Sequence, residues 1–93
     1  MSEQIRAHLT IKGRVQGVCF RMETMQAARG CNVNGWVRNL PDGSVEAVLE
    51  GPADAVNRTI EWCRHGPPMS RVDDVRVAWE DYQGEFKNFA ITY

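Results

Sequence analysis

The first regular pattern in the chain is an alternation of apolar and polar side chains over residues 5–12. Its apolar members are Ile5, Ala7, Leu9 and Ile11. Successive side chains of a β-strand point to opposite faces, so this pattern predicts a strand with one buried and one solvated face. From residue 20 the period lengthens to that of a helix, whose apolar face is formed by Phe20, Thr24, Ala27, Ala28 and Cys31. The helix is expected to end at Asn32, because asparagine tolerates the left-handed conformation that follows many helices.

Two strands and a second helix are expected in the middle of the chain. The strand at residues 35–39 is followed by the turn Leu40-Pro41-Asp42-Gly43, and alternation resumes over residues 44–50. Pro, Asp and Gly favour tight turns, so these strands are predicted to form a hairpin. Gly51-Pro52 then opens a helix with proline at its first position, and Gly66-Pro67-Pro68 ends it.

Alternation returns twice towards the C-terminus. One strand is indicated by Val75, Val77 and Trp79, and a last one by Phe89, Ile91 and Tyr93. The element order is therefore βαββαβ, with a short closing strand. The order consists of two βαβ halves, and two such halves form an antiparallel sheet with both helices on one face. The sequence predicts an α+β fold of the ferredoxin-like type, a two-layer α/β sandwich.

Length and charge restrict the class of protein. Ninety-three residues are enough for one modest core, so a single domain is expected over residues 1–93. The net charge of −1 gives no overall attraction to nucleic acid or to an anionic membrane. No apolar segment has the length of a signal peptide or a membrane span, and three cysteines without metal-type spacing fit a reducing compartment. We expect a cytoplasmic monomer without nucleic-acid or membrane partners; one disulfide between two of the cysteines remains an open alternative.

The segment between the first strand and the first helix is the most informative part of the sequence. It reads Gly13-Arg14-Val15-Gln16-Gly17-Val18-Cys19-Phe20-Arg21. A glycine-rich turn at a helix N-terminus can direct several backbone N–H groups at one anion, while an arginine binds two of its oxygens. The spacing fits neither a nucleotide P-loop nor a dinucleotide fingerprint. Because the helix dipole disfavours a cation in the first turn, Arg21 at that position indicates a bound anion, and phosphate is the natural one.

Asn39 is the second candidate. Side chains two residues apart in a strand share a face, so Asn39 points to the same side as Val37. If Val37 faces the helices, the Asn39 amide lies near the start of the first helix, where Arg21 lies. A neutral amide can hold and orient a water molecule without accepting its proton. The alternative is that Asn39 only starts the turn after its strand, as asparagine often does.

The residue types on which many hydrolases depend do not accompany this loop. No serine–histidine pair, metal-ligand cluster or paired carboxylates stand beside it. A hydrolase without a strong base needs a substrate with a stable leaving group, and an acyl phosphate releases a carboxylate. Phosphoryl transfer depends mainly on positioning and charge stabilisation, which loop amides and Arg21 can supply. The substrate's own phosphate oxygens are expected to take up the proton of the attacking water.

With these residues considered together, the chain resembles the acylphosphatase family. Residues 13–21 are similar to the first signature of that family, and residues 35–46 (Gly-Trp-Val-Arg-Asn-Leu-Pro-Asp-Gly-Ser-Val-Glu) to the second. The likeness continues through Glu50-Gly51-Pro52, Trp62, Gly66-Pro67-Pro68 and Phe89-Ala90-Ile91-Thr92-Tyr93, so it covers nearly the whole chain.

The resemblance implies an activity and a set of site residues. The activity is hydrolysis of the carboxyl–phosphate anhydride of an acyl phosphate (EC 3.6.1.7), without a metal or other cofactor. Inorganic phosphate is then the product and an expected inhibitor. Arg21 would bind the phosphate and Asn39 would orient the attacking water. The phosphate cradle would be completed by the backbone amides of Val15, Gln16, Gly17, Val18, Cys19 and Phe20.

Four other functions are weaker. A single-stranded RNA-binding module of the same fold needs exposed aromatic side chains on its strands and a basic surface, whereas the net charge of this chain is −1. A metal chaperone needs paired cysteines in the first loop, and that loop contains one, Cys19. A cysteine phosphatase needs its arginine six residues after the cysteine, whereas Arg21 follows Cys19 by two. The more serious alternative is a phosphoanion- or carbamoyl-phosphate-binding domain, as in the N-terminal part of a hydrogenase-maturation protein. Because little chain follows the last strand, a free-standing enzyme is expected instead.

Overall fold

The computed structural model describes residues 3–93, which form a five-stranded sheet and two helices. The elements are β1 (Gln4–Arg14), α1 (Phe20–Gly30), β2 (Asn34–Asn39), β3 (Val45–Pro52), α2 (Ala53–His65), β4 (Arg71–Glu80) and β5 (Phe89–Ile91). Across the sheet the strand order is β4-β1-β3-β2-β5. The expected βαββαβ order is therefore present, with the short closing strand after it. Residues 1 and 2 of the expected domain lie outside the described part.

The sheet is mixed rather than wholly antiparallel. β1 pairs with β3 and β4, and β2 with β3, all antiparallel as expected. β5 instead pairs with β2 in the parallel sense, through residues 89–91. The successive antiparallel pairings from β4 through β1 and β3 make β4 and β2 run in opposite directions. After β4, at one edge of the sheet, the chain reverses and crosses to the opposite edge, so β5 runs in the same direction as β2.

Both helices pack on one face of this sheet, and the core lies between the two layers. The strand alternation holds as expected, since Ala7, Leu9 and Ile11 of β1 are fully buried. The buried positions of α1 are Phe20, Thr24 and Ala28, and those of α2 are Ala55, Val56, Thr59, Ile60 and Cys63. This layered core fixes the end of β1, which the glycine loop follows, and the end of β2, where Asn39 lies.

The helix ends agree only in part with the sequence expectation. Asn32 has φ 59°, and the N–H groups of Asn32 and Val33 donate to the carbonyls of Arg29 and Ala28, which is the Schellman arrangement. Asparagine therefore ends α1 as expected. Pro52 is not the first helical residue: its ψ of 141° is extended, and it is the last residue of β3 and the N-cap of α2.

The sheet face away from the helices is partly covered by the chain segment that follows β4. Glu50 of β3 lies on this face, yet it is only 2% exposed. Its carboxylate accepts hydrogen bonds from the backbone N–H groups of Gln83 (2.8 Å), Gly84 (3.2 Å) and Glu85 (3.2 Å), and from Arg6 (3.2 Å). One carboxylate therefore anchors the connection that carries the chain across the sheet to β5.

Glu50 leads to a prediction about acid stability. Burial alone would raise its pKa, but the hydrogen bonds from the three N–H groups and Arg6 outweigh it and hold the pKa below its usual value. The carboxylate therefore stabilises the fold above its unfolded pKa of about 4.3, and this contribution is lost as the pH falls through the folded pKa. Glu50→Gln is expected to lower the free energy of unfolding by about 2–3 kcal/mol at neutral pH.

Urea denaturation at several pH values measures this effect. The difference between wild type and Glu50→Gln should shrink as the pH falls below the unfolded pKa of about 4.3 and towards the lowered folded pKa, where the wild-type carboxylate also becomes neutral. Glu61→Gln is the control, because Glu61 is 67% exposed on α2 and its removal should change stability by less than about 0.5 kcal/mol. A difference that stays constant down to acid pH would show that the charge of Glu50 does not stabilise the fold.

Candidate active site

The loop between β1 and α1 turns at two residues with positive φ. Gly17 has φ 73°, and Cys19, the N-cap of α1, has φ 64° and ψ 21°. The left-handed conformation costs a residue such as Cys19 about 1–2 kcal/mol, and such strain clusters at functional sites. Within residues 3–93, no protein group accepts a hydrogen bond from the backbone N–H groups of residues 16–20. The loop therefore holds free donors at a helix N-terminus, the arrangement that binds anions.

Arg21 lies in the first turn of α1, next to these donors. Its guanidinium carbon is 5.4 Å from the centroid of the Tyr93 ring, a cation–π distance. No carboxylate of the described chain forms an ion pair with Arg21, although eight arginine–carboxylate pairs occur elsewhere in it. The positive charge of Arg21 is thus uncompensated at a position where the helix dipole also favours an anion.

Asn39 is the last residue of β2, and its amide lies on the helix side of the sheet. Val37 is fully buried in the core, so the strand period places Asn39 on the same face. The Asn39 Oδ1 atom is buried and accepts no hydrogen bond from any described residue. Buried polar atoms without a partner are rare in folded proteins, and a water or ligand is the usual missing partner.

The loop, the start of α1 and the end of β2 meet around one pocket of about 420 Å³. This volume lies within the range of small-molecule sites. The lining residues are Val15, Gly17, Cys19, Phe20, Arg21, Met22, Asn39, Ile91 and Tyr93. Arg21 and Asn39, which the sequence analysis placed near each other, therefore share one pocket with the glycine loop.

Gln16 and Val18, two members of the expected cradle, are not among the pocket-lining residues. Gln16 instead turns its side chain towards the β2–β3 turn. Its Nε2 donates to the carbonyl oxygens of Leu40 and Ser44, at 2.8 Å each. Gln16 therefore connects the glycine loop to both ends of the turn, residues 40–44, that follows Asn39.

Three residues of the pocket were missed by the sequence analysis: Met22, Ile91 and Tyr93. Two sequence features could have indicated them. Met22 directly follows Arg21, and Ile91 and Tyr93 show the strand period of two and therefore share one face. The pairing of β5 beside β2, which brings Ile91 to the pocket, had no local signal.

The cysteines and the acidic residues define no further site. All three cysteines are free, and burial raises the pKa of the Cys63 thiol to about 12, which leaves it protonated and unreactive. Among residues 3–93, no group of three His, Cys, Asp or Glu side chains is placed to hold a metal ion. Neither helix in this range has the length and apolar character that crossing a membrane requires.

Comparison with known proteins identifies the family. The acylphosphatase family model matches residues 7–91, which is most of the chain. The chain belongs to the acylphosphatase family. An acylphosphatase from Syntrophobacter fumaroxidans is 60% identical over 88 residues, covering 95% of this chain and 91% of the relative. A second, from Pyrobaculum arsenaticum, is 59% identical over 90 residues.

The solved structures agree with this assignment. The crystal structure of the acylphosphatase from Bacillus subtilis superposes with a TM-score of 0.92, at 35% identity over 96% of this chain and 99% of that one. Members of the family are hydrolases that act on small acyl phosphates. The ferredoxin-like α+β fold and the enzyme class expected from the sequence are therefore confirmed.

The bridge made by Gln16 leads to a second prediction. Gln16→Ala removes both hydrogen bonds, but each carbonyl keeps a partner, the N–H of Gly43 on Leu40 and that of Leu40 on Ser44. We therefore expect a loss of about 1–2 kcal/mol in unfolding free energy. Because the loop is then free to shift relative to Asn39, kcat/KM for acetyl phosphate should fall about tenfold.

Gln26→Ala is the matched control, since Gln26 is exposed on α1. It should leave both quantities close to wild type. If Gln16→Ala lost stability but kept the wild-type kcat/KM, Gln16 would support the fold without positioning the site.

Proposed function

We propose that this chain hydrolyses acyl phosphates by direct attack of a water on phosphorus, with the phosphoryl group held by Arg21 and the loop amides and the water oriented by Asn39. The observation that carries the proposal is a shared pocket in which, among residues 3–93, the Arg21 cation has no carboxylate partner and the Asn39 amide oxygen and the loop N–H groups have no hydrogen-bond partner. An anion with one bound water would satisfy all three.

Arg21 and the loop divide the binding of the phosphoryl group. A guanidinium binds two oxygens through its planar fork, and the N–H groups of the loop, of which residues 17, 19 and 20 line the pocket, donate to the others. Since these donors are part of the folded backbone, they need little reorganisation as charge develops in the transition state. Such preorganised donors contribute most of the stabilisation in phosphoryl transfer.

Asn39 acts on the nucleophile. Its buried Oδ1 accepts a hydrogen bond from the water, which directs a lone pair of the water oxygen at phosphorus. An amide does not take the proton, so a phosphate oxygen of the substrate receives it. The bond between phosphorus and the acyl oxygen breaks, a bond from phosphorus to the water oxygen forms, and the carboxylate leaves with the bonding electron pair. No general acid is required, because a carboxylate is a stable leaving group.

Three further assignments belong to this proposal. Inorganic phosphate carries the group that the cradle binds, and it should inhibit as well as leave as product. The roles proposed here are all assigned to residues of one chain and need no group from a second copy, so the proposed active species is a monomer. The three free cysteines support a reducing, cytoplasmic location.

Substitution of the two polar side chains tests the division of roles. Asn39→Ala should lower kcat for benzoyl phosphate about 10²–10³-fold, equivalent to about 2.7–4 kcal/mol, while phosphate still inhibits. Arg21→Ala should lose both turnover and inhibition by phosphate, because it removes the charged fork that binds the anion. Steady-state kinetics with and without phosphate measure both effects.

Arg14→Ala and Asn57→Ala are the matched controls. Arg14 precedes the loop and is exposed, and Asn57 is exposed on α2. Both should retain wild-type kinetics. If Arg21→Ala and Asn39→Ala kept the wild-type kcat/KM, the assigned roles would be wrong.

A further inference from the structure

The pocket offers apolar surface in addition to its polar groups. Met22 and Tyr93 line it while remaining 47% and 92% exposed, and Ile91, which also lines it, packs against the core. Tyr93 is held beside the pocket by its cation–π contact with Arg21. When a ligand covers large apolar side chains that are otherwise exposed to water, the removal of that apolar surface from water stabilises the complex.

The phosphoryl group leaves much of the pocket unfilled. Even with the bridging acyl oxygen counted, four oxygens at about 30 Å³ each, the volume of a water molecule in the liquid, occupy about 120 Å³. The pocket has a volume of about 420 Å³. More than half of it therefore remains for the acyl part of the substrate.

The charge of the pocket restricts that acyl part further. Arg21 is the one charged side chain among the lining residues. The phosphoryl group uses this charge, so a second anionic group on the substrate would find no cation there. A negatively charged acyl group is therefore disfavoured, whereas an uncharged hydrocarbon group matches the surface of Met22, Ile91 and Tyr93.

We propose that Met22, together with Ile91 and Tyr93, forms an acyl-binding wall that makes the enzyme prefer acyl phosphates with an uncharged hydrocarbon chain. The inference rests on the proposed function of the same pocket and adds the class of acyl group. The wall contributes none of the groups assigned to phosphoryl transfer, so it is expected to bind substrate and transition state alike. Such uniform binding lowers KM and leaves kcat unchanged.

A series of straight-chain substrates tests this wall. Acetyl, propionyl, butyryl and hexanoyl phosphate release carboxylates of nearly equal basicity, so their intrinsic reactivity is similar. Complete burial of a methylene corresponds to about a fourfold change in affinity. For this open wall we expect KM of the wild type to fall about two- to threefold with each added methylene, while kcat stays within about twofold.

Substitutions at Met22 locate the effect. In Met22→Ser the slope of log KM against acyl chain length should fall to about half its wild-type value. In Met22→Leu, which keeps an apolar side chain at this position, the slope should be close to that of the wild type. Met69→Ser is the matched control, because Met69 is 68% exposed and does not line the pocket, and it should keep the wild-type slope. The inhibition constant of inorganic phosphate, measured on each variant, reports separately whether the cradle is intact.

The outcomes distinguish this inference from the function on which it rests. A KM that falls with chain length in the wild type, and falls less in Met22→Ser, supports the wall. Hydrolysis of all four substrates with the same KM, or an unchanged slope in Met22→Ser, overturns the wall and leaves the proposed function standing. If the wild type hydrolysed none of the four, the proposed function would fail, and the wall with it.

Discussion

Two hydrogen bonds from the side chain of Gln16 hold the halves of the site at a fixed separation. The glycine loop follows β1, Asn39 ends β2, and the carbonyls of Leu40 and Ser44 accept from Gln16 just beyond Asn39. Because a side chain makes this connection, the backbone N–H groups of the loop are not used for it. The fold thus positions the loop and keeps its donors available for a ligand.

The two faces of the sheet differ in whether their charged and polar groups have protein partners. On the face away from the helices, Glu50 and Arg6 have several partners each, and the carboxylate of Glu50 is fully used in anchoring the chain. At the pocket, Arg21 has only an aromatic ring beside it, and Asn39 Oδ1 has no partner among the described residues. We therefore propose that a protein with a net charge of −1 binds an anion locally, through the unpaired charge of Arg21 and the free N–H groups of the loop.

Much of the fold and of the site could be predicted from sequence because it follows from local rules. The period of two placed Asn39 on the helix side, and the helix dipole made the position of Arg21 unusual. Pro52 was placed wrongly because proline suits both a strand end and a helix start, and the neighbouring strand decides between them. The parallel pairing of β5, and with it the place of Tyr93 at the pocket, depends on contacts distant in sequence that no local pattern records.

The path of the water oxygen tests the central claim most directly. Hydrolysis of acetyl phosphate in ¹⁸O-labelled water, followed by mass spectrometry of both products, shows which atom the water attacks. We expect one solvent oxygen in the released phosphate and none in the acetate, because the role proposed for Asn39 is to direct the water at phosphorus. Label in the acetate would mean attack at the carbonyl carbon, and it would contradict the catalytic roles of Arg21, the loop and Asn39.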